Sequence, residues 1–116
     1  MKTENGRRTN SDRYEYDFGP LTTKAGWAQV DTTQDAWYYG TWANPFTLQT
    51  FEYCEGDTTL QTAENEQEFV DAMRELKRWN DEGGRWLGVD PGFNADLKAQ
   101  FHTLGLGDLL DYPASA

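Results

Sequence analysis

From Ala25 to Met73 the chain contains no lysine and no arginine. It also has one cysteine, Cys54, and one histidine, His102. A single thiol excludes an internal disulfide, and without spaced partners it excludes a zinc knuckle. No apolar run approaches the roughly 20 residues needed to cross a bilayer. No apolar core follows the first residues, so no secretory signal is expected. These absences predict a soluble chain in a reducing, cytoplasmic compartment. With 10 bases against 20 acids and a formal charge of −10, the chain has no general field with which to hold nucleic acid or an anionic membrane. Its expected partners are basic.

Against these absences stands a high aromatic content, 15% of the chain, set in only 37% hydrophobic residues. Trp, Tyr and Phe bury much area per residue, so a core is expected despite the low average. The 116 residues suit one domain. Residues 1–12 (MKTENGRRTNSD) lack periodicity and read as a flexible tail. Residues 13–112 read as the domain, and 113–116 as a loose end. Tyr14, Tyr16 and Phe18 alternate with acids, as in an edge strand or an extended arm.

From Gly26 the pattern is strand-like. GWAQVD alternates, DTTQD turns, and WYYGTW is dense in aromatics, as strands prefer. Ala43-Asn44-Pro45 reads as a tight turn. Phe46 to Cys54 reads as the longest strand, with a one-residue slip between Leu48 and Phe51 that predicts a bulge near Gln49-Thr50. Glu55-Gly56-Asp57 predicts a hairpin, and Thr58 to Gln61 the returning strand. At Thr62 the period changes. Thr62 or Asn65 caps a helix whose first turns hold Glu64, Glu66 and Glu68. Phe69, Met73, Leu76 and Trp79 form its expected apolar stripe, and Gly83-Gly84 stops it. Arg85 to Val89 reads as a short extended piece. Asn94 caps a second helix carrying Leu97, Phe101 and Leu104, closed by Gly105. The expected fold is α+β: a three- or four-stranded antiparallel meander packed by one long and one short C-terminal helix, its other face partly open to water.

The candidate surface follows from charge segregation. Between Lys24 and Arg74 lie Asp31, Asp35, Glu52, Glu55, Asp57, Glu64, Glu66, Glu68 and Asp71, nine acids with no base among them. Capping and the helix dipole explain Glu64 to Asp71, and solubility alone is the plainer account of the rest. Neither places Asp31, Asp35, Glu52, Glu55 and Asp57 so close together. Carboxylates spaced on a rigid sheet imitate a row of phosphates and suit a Lys/Arg-lined groove. Trp37, Tyr38, Tyr39 and Trp42 lie in one strand, whose alternate side chains face opposite ways, so one pair looks away from the helix. Aromatics there serve as core or as interface anchors. No catalytic constellation and no cofactor motif is seen. Asp31, Asp35 and Glu52 are the alternative reading, a divalent-metal site of a small enzyme, although no calcium-loop pattern is present.

Five runs, WYYGTWANP (37–45), YCEGD (53–57), WNDE (79–82), DPGFNADLKAQF (90–101) and LGLGDLLD (104–111), resemble those of small proteins carried on bacterial plasmids and related mobile elements. The resemblance spans Trp27 to Asp111. It carries no assigned activity, so it implies context rather than residue roles. Small acidic proteins of such elements are similar in size and charge to anti-CRISPR and antirestriction inhibitors. The expectation is a non-enzymatic inhibitor, monomeric or homodimeric; a further alternative is a homodimeric interaction module that buries the aromatic strand through edge pairing. Its acidic surface would fill a basic groove of a nucleic-acid-handling host complex by nucleic-acid mimicry, without touching nucleic acid itself.

Overall fold

The structure, a computed structural model, describes residues 15–16, 19–34 and 39–110. The elements in chain order are β1 (Glu15–Tyr16), β2 (Gly19–Pro20), β3 (Ala28–Thr32), β4 (Tyr39–Asn44), β5 (Gln49–Cys54), β6 (Asp57–Thr62), α1 (Glu66–Glu82), β7 (Trp86–Asp90) and α2 (Ala95–Thr103). A 3-10 turn at Gly107–Leu110 follows. Among the described residues, β1 and β2 pair with each other and with no strand of the main sheet, so Glu15–Tyr16 is not an edge strand of that sheet. The two tails lie outside the described residues.

The main sheet has five strands in the order β6-β5-β4-β3-β7, every neighbouring pair antiparallel. β3 to β6 form the expected meander. The fifth strand is the Arg85 to Val89 piece, which returns after α1 and pairs with β3 at the far edge. Its sequence, with Gly88 inside and a turn on either side, has no alternation long enough to mark a strand, so it becomes one only through partnership with β3. α1 carries the chain from one edge of the sheet to the other. Its 17 residues give a length of about 25 Å, enough to cross a sheet whose four strand spacings total about 19 Å.

Register separates the two faces. Ala28 lies opposite Ala43, and Val30 opposite both Thr41 and Val89. Ala28, Val30, Ala43 and Val89 form one buried cluster with Phe69 and Met73 of α1, Leu97 and Phe101 of α2, and Leu106 and Leu109. The α1 stripe runs Phe69, Met73, Leu76 and then Asn80, not Trp79: Asn80 is buried, whereas Trp79 is 63% exposed. At 100° per residue Trp79 falls about 80° from Phe69, whereas Asn80 falls about 20° away. Asn80 is accommodated because its amide donates to the Leu76 carbonyl at 2.9 Å. The Asn80 backbone carbonyl accepts from Arg85 N–H at 2.7 Å, closing the helix onto β7.

The opposite face is not simply open. Leu21, Trp27, Trp42 and Phe51 form a second buried cluster there, with Tyr53 against it. The Trp42 and Phe51 rings are 6.2 Å apart at 57°, the tilted geometry that aromatic quadrupoles favour.

The turns correct two expectations. β4 continues through Asn44, and its register with β5 runs unbroken from Tyr39↔Cys54 to Asn44↔Gln49, so no bulge lies at Gln49-Thr50. The apparent slip arises because Phe46 and Leu48 sit in the turn. There Asn44 Oδ1 accepts from Phe46 N–H and Thr47 N–H, and Leu48 takes a left-handed φ of 63°. The sheet's one register shift falls instead between Asp31 and Thr32, along β7. At the other end of β5, Glu55 and Gly56 have φ of 52° and 95°. Two successive positive φ values make the tight mirror-image turn whose twist matches that of a hairpin.

Candidate functional site

α1 and α2 cover only part of the sheet face on which they lie. Ala28, Val30, Ala43 and Val89 are under them. Toward the β6 edge the same face changes character. Thr41 pairs with Glu52, and Glu52 with Thr59; Tyr39 pairs with Cys54, and Cys54 with Asp57. These rows are polar, and Glu52, Cys54, Asp57 and Thr59 are exposed. Tyr39 is half-buried, and its hydroxyl accepts from Thr41 Oγ1 at 3.4 Å. Glu55 projects from the tip of the hairpin.

Asp57 and Glu52 are diagonal neighbours on adjacent strands, a relation that sets side chains about 7–8 Å apart. The hairpin that holds them has an unbroken six-residue ladder and a closed turn, so these carboxylates sit on a stiff backbone. At its other end Ala63 N–H bonds the Leu48 carbonyl and leads into α1. Asn65 caps that helix, its Oδ1 accepting from Glu68 N–H at 2.9 Å, while Glu68 Oε1 accepts from Glu64 N–H at 2.5 Å. This reciprocal cap resembles a capping box shifted by one residue. Glu68 therefore serves the helix start, and it also lines a hollow of about 450 Å³ with Thr50, Gln61, Phe69 and Ala72. Glu64 and Glu66 stand exposed beside it.

The bases of α1 do not offset this field, because each has a nearer partner. Arg74 bonds Asp108 at 2.6 Å, Lys77 pairs with Asp81, and Arg78 with Glu75 and Glu82. The bonds to Asp108 hold the Arg74 pKa above its usual value, and in return that carboxyl is held below the usual carboxylate range, chiefly by its hydrogen bonds to Arg74. Hydrogen bonding to Glu75 likewise raises Arg78. Among the described residues, Glu52, Glu55, Asp57, Glu64 and Glu66 enter no ion pair.

The expected surface is thus brought together in part. Glu52, Glu55 and Asp57 form one exposed group with Tyr39 beside it, and Glu64, Glu66 and Glu68 a second group at the helix start. Trp42 does not belong to either. It is 1% exposed and faces the second core, so it cannot act as a docking anchor. Asp31 is 8% exposed and points to the face opposite Glu52, since it adjoins Val30 while Glu52 shares the face of Thr41. The structure therefore does not join Asp31 and Glu52 in one site. Asp35, Trp37 and Tyr38 lie outside the described residues. Among the described residues no group of three or more His, Cys, Asp and Glu is placed to hold a metal ion, and no helix is long and apolar enough to cross a membrane.

Sequence reading missed Leu60, which is 41% exposed on the outermost strand, directly opposite Phe51. The signal was the composition of β6, Asp-Thr-Thr-Leu-Gln-Thr, which holds β-formers but no Lys, Arg or Pro. It also missed Phe93, 99% exposed in the turn before α2, for which the local sequence carries no signal. The chain matches no protein-family model, no curated protein and no solved structure. No residue role is carried over from a relative, and the functional reading stands on the geometry of the hairpin.

Proposed function

We propose that this is a non-catalytic binding protein that sets the acidic face of its β5–β6 hairpin into a basic groove of a nucleic-acid-handling protein and so keeps nucleic acid out, as an anti-CRISPR or antirestriction inhibitor would. One observation carries this reading. Among the described residues, Glu52, Glu55 and Asp57 are exposed on a rigid hairpin with no basic neighbour paired to them, while the bases of α1 are each engaged by other acids. Charges held on a stiff strand need no backbone ordering on association, and they steer a basic partner at long range. Glu64 and Glu66, exposed just past the far end of β6, add to the field.

The test is capture from bacterial lysate on the immobilised protein at low and at high salt, followed by assay of the captured protein's own nucleic-acid binding. A partner held at low salt, released by high salt and blocked from nucleic acid is the expected result. Changing Glu52, Glu55 and Asp57 together to Lys should abolish both capture and inhibition. Retention of binding by the folded triple variant at low salt overturns the reading.

A further inference from the structure

We infer that the outer edge of β6 is a strand-addition site for an extended basic segment of the partner, with Lys or Arg at alternate positions and apolar residues between them. The inference rests on the docking reading and specifies how the partner is held. β6 is the last strand of the sheet, and among the described residues nothing pairs with its outer side. All of its residues are exposed. Natural edges are ordinarily blocked by Pro, by Lys, by a bulge or by a covering loop. β6 has neither Pro nor Lys, and its register with β5 is regular from Asp57 to Thr62.

The backbone presents a definite pattern. Cys54 and Asp57 flank the tight Glu55–Gly56 turn and exchange hydrogen bonds, so alternate residues of β6 face β5. Thr58, Leu60 and Thr62 then direct their N–H and C=O groups outward, the arrangement an added strand requires.

The two faces of this edge differ, and the difference selects the occupant. On the helix-bearing face stand Asp57 and Thr59, with Glu52 one strand inward beside Thr59. A Lys opposite Thr59 lies about 10 Å from Glu52 across two strand spacings, within reach of a long side chain over a short threonine. On the other face the cross-strand row Trp42, Phe51, Leu60 runs from buried to exposed and stops at the edge. An apolar side chain opposite Leu60 continues it. A second copy of this chain meets only the apolar half of that requirement: it brings the same carboxylates and its own charge of −10 to the edge. Alternation of basic and apolar residues satisfies both halves at once.

The test uses a fluorescent peptide of alternating Lys and Val, and a second peptide of the same composition with its lysines and valines in separate blocks. Binding to the full chain is read by fluorescence anisotropy at low salt. The alternating peptide should bind about tenfold tighter or better, since only it presents its charges on one face of a strand. Methylating alternate amide nitrogens of that peptide should remove this preference. So should Thr58→Pro in the protein, which deletes an outward N–H without touching the β5 ladder. The methylated peptide keeps the test valid even if Thr58→Pro impairs folding. If both peptide orders bind equally and both are lost with Glu52→Lys, Glu55→Lys and Asp57→Lys, strand addition is overturned while the acidic docking reading stands. If neither peptide binds at low salt, strand addition is overturned, and the docking reading is decided by the lysate capture and the triple variant. A dimer in light scattering that Thr58→Pro dissolves assigns the edge to a second copy and also overturns the inference.

Discussion

Trp42 and Trp79 are equally plain tryptophans in the sequence, yet the structure assigns them opposite weights. Trp42 is 1% exposed between Leu21, Trp27 and Phe51, on the face away from the helices. Trp79 is 63% exposed on α1. A tryptophan buries about 200 Å², which at about 25 cal/mol per Å² gives about 5 kcal/mol as an upper figure. Truncation to Ala in a core costs about 3–5 kcal/mol. That approaches the whole stability of a small domain, about 5–15 kcal/mol, so Trp42→Phe is the better probe. It keeps one ring and loses the other, with an expected cost of about 1–2 kcal/mol. Trp79→Phe should stay within about 0.5 kcal/mol of the parent. Urea unfolding followed by far-UV circular dichroism is the suitable assay, because five tryptophans confuse a fluorescence signal. The midpoint should fall for Trp42→Phe with an unchanged slope, which reports lost stability rather than a changed denatured state. Equal midpoints for the two variants, or a larger drop for Trp79→Phe, would refute the claim that the second face carries a core.

Four further outcomes follow from local geometry. Asn65→Ala removes the acceptor of Glu68 N–H and should cost about 1 kcal/mol in a thermal melt, more than Glu68→Gln, which keeps an acceptor for Glu64 N–H. Gly56→Ala should cost about 1 kcal/mol or more through backbone strain alone, since φ is 95° and nothing lies within 4 Å of the added carbon. Glu55→Asn, at φ 52°, should instead raise the melting temperature, by about 0.5–1 kcal/mol in stability. Asp108→Asn should cost at most about 0.5 kcal/mol at neutral pH, because the Arg74 pair is half-exposed. The Asp108 carboxyl titrates below its usual value in the folded state. Its contribution is therefore present above the unfolded value of about 3.9 and lost as pH falls through the folded one. Melts of parent and variant should differ at neutral pH and converge in strong acid.

The α+β class, the meander, both helices and the Asn94 cap were legible because they rest on local rules: alternation, helical period and side-chain capping; the cap of α1 was narrowed to Thr62 or Asn65, and it is Asn65. What was not legible depended on pairing. β7 has no strand pattern of its own and becomes a strand only beside β3. Phe46 and Leu48 copy the alternation of β5 while sitting in a turn, and only the Asn44 bonds to Phe46 and Thr47 reveal this. Trp79 stands three residues after Leu76 and so fits a helical spacing, yet the angle around the helix favours Asn80, a polar residue whose side-chain amide donates to the Leu76 carbonyl. Of the acidic surface, the hairpin group Glu52, Glu55 and Asp57 was legible from clustering. The burial of Trp42 was not, because it depends on Leu21 and Trp27 packing over the second face.

The missing lysines bear on the β6 edge as well as on net charge. Lysine is a common guard of an open edge, since a cation set among backbone groups discourages a further strand without regard to what that strand carries. Here the charges beside β6 are carboxylates, Glu52, Glu55 and Asp57, on one face and at one end. Such a guard is selective. It repels an acidic strand, including a second copy of this chain, and attracts a basic one, so a single set of residues disfavours self-association and favours the proposed partner. The three bases of α1 are engaged by Asp108, Asp81, Glu75 and Glu82, which keeps that selectivity undiluted. A lysine introduced at Thr59 or Gln61 would restore an ordinary guard at the cost of one charge. It should weaken docking of a basic strand more than removal of a carboxylate at Glu64 does, although both change the net charge in the same direction.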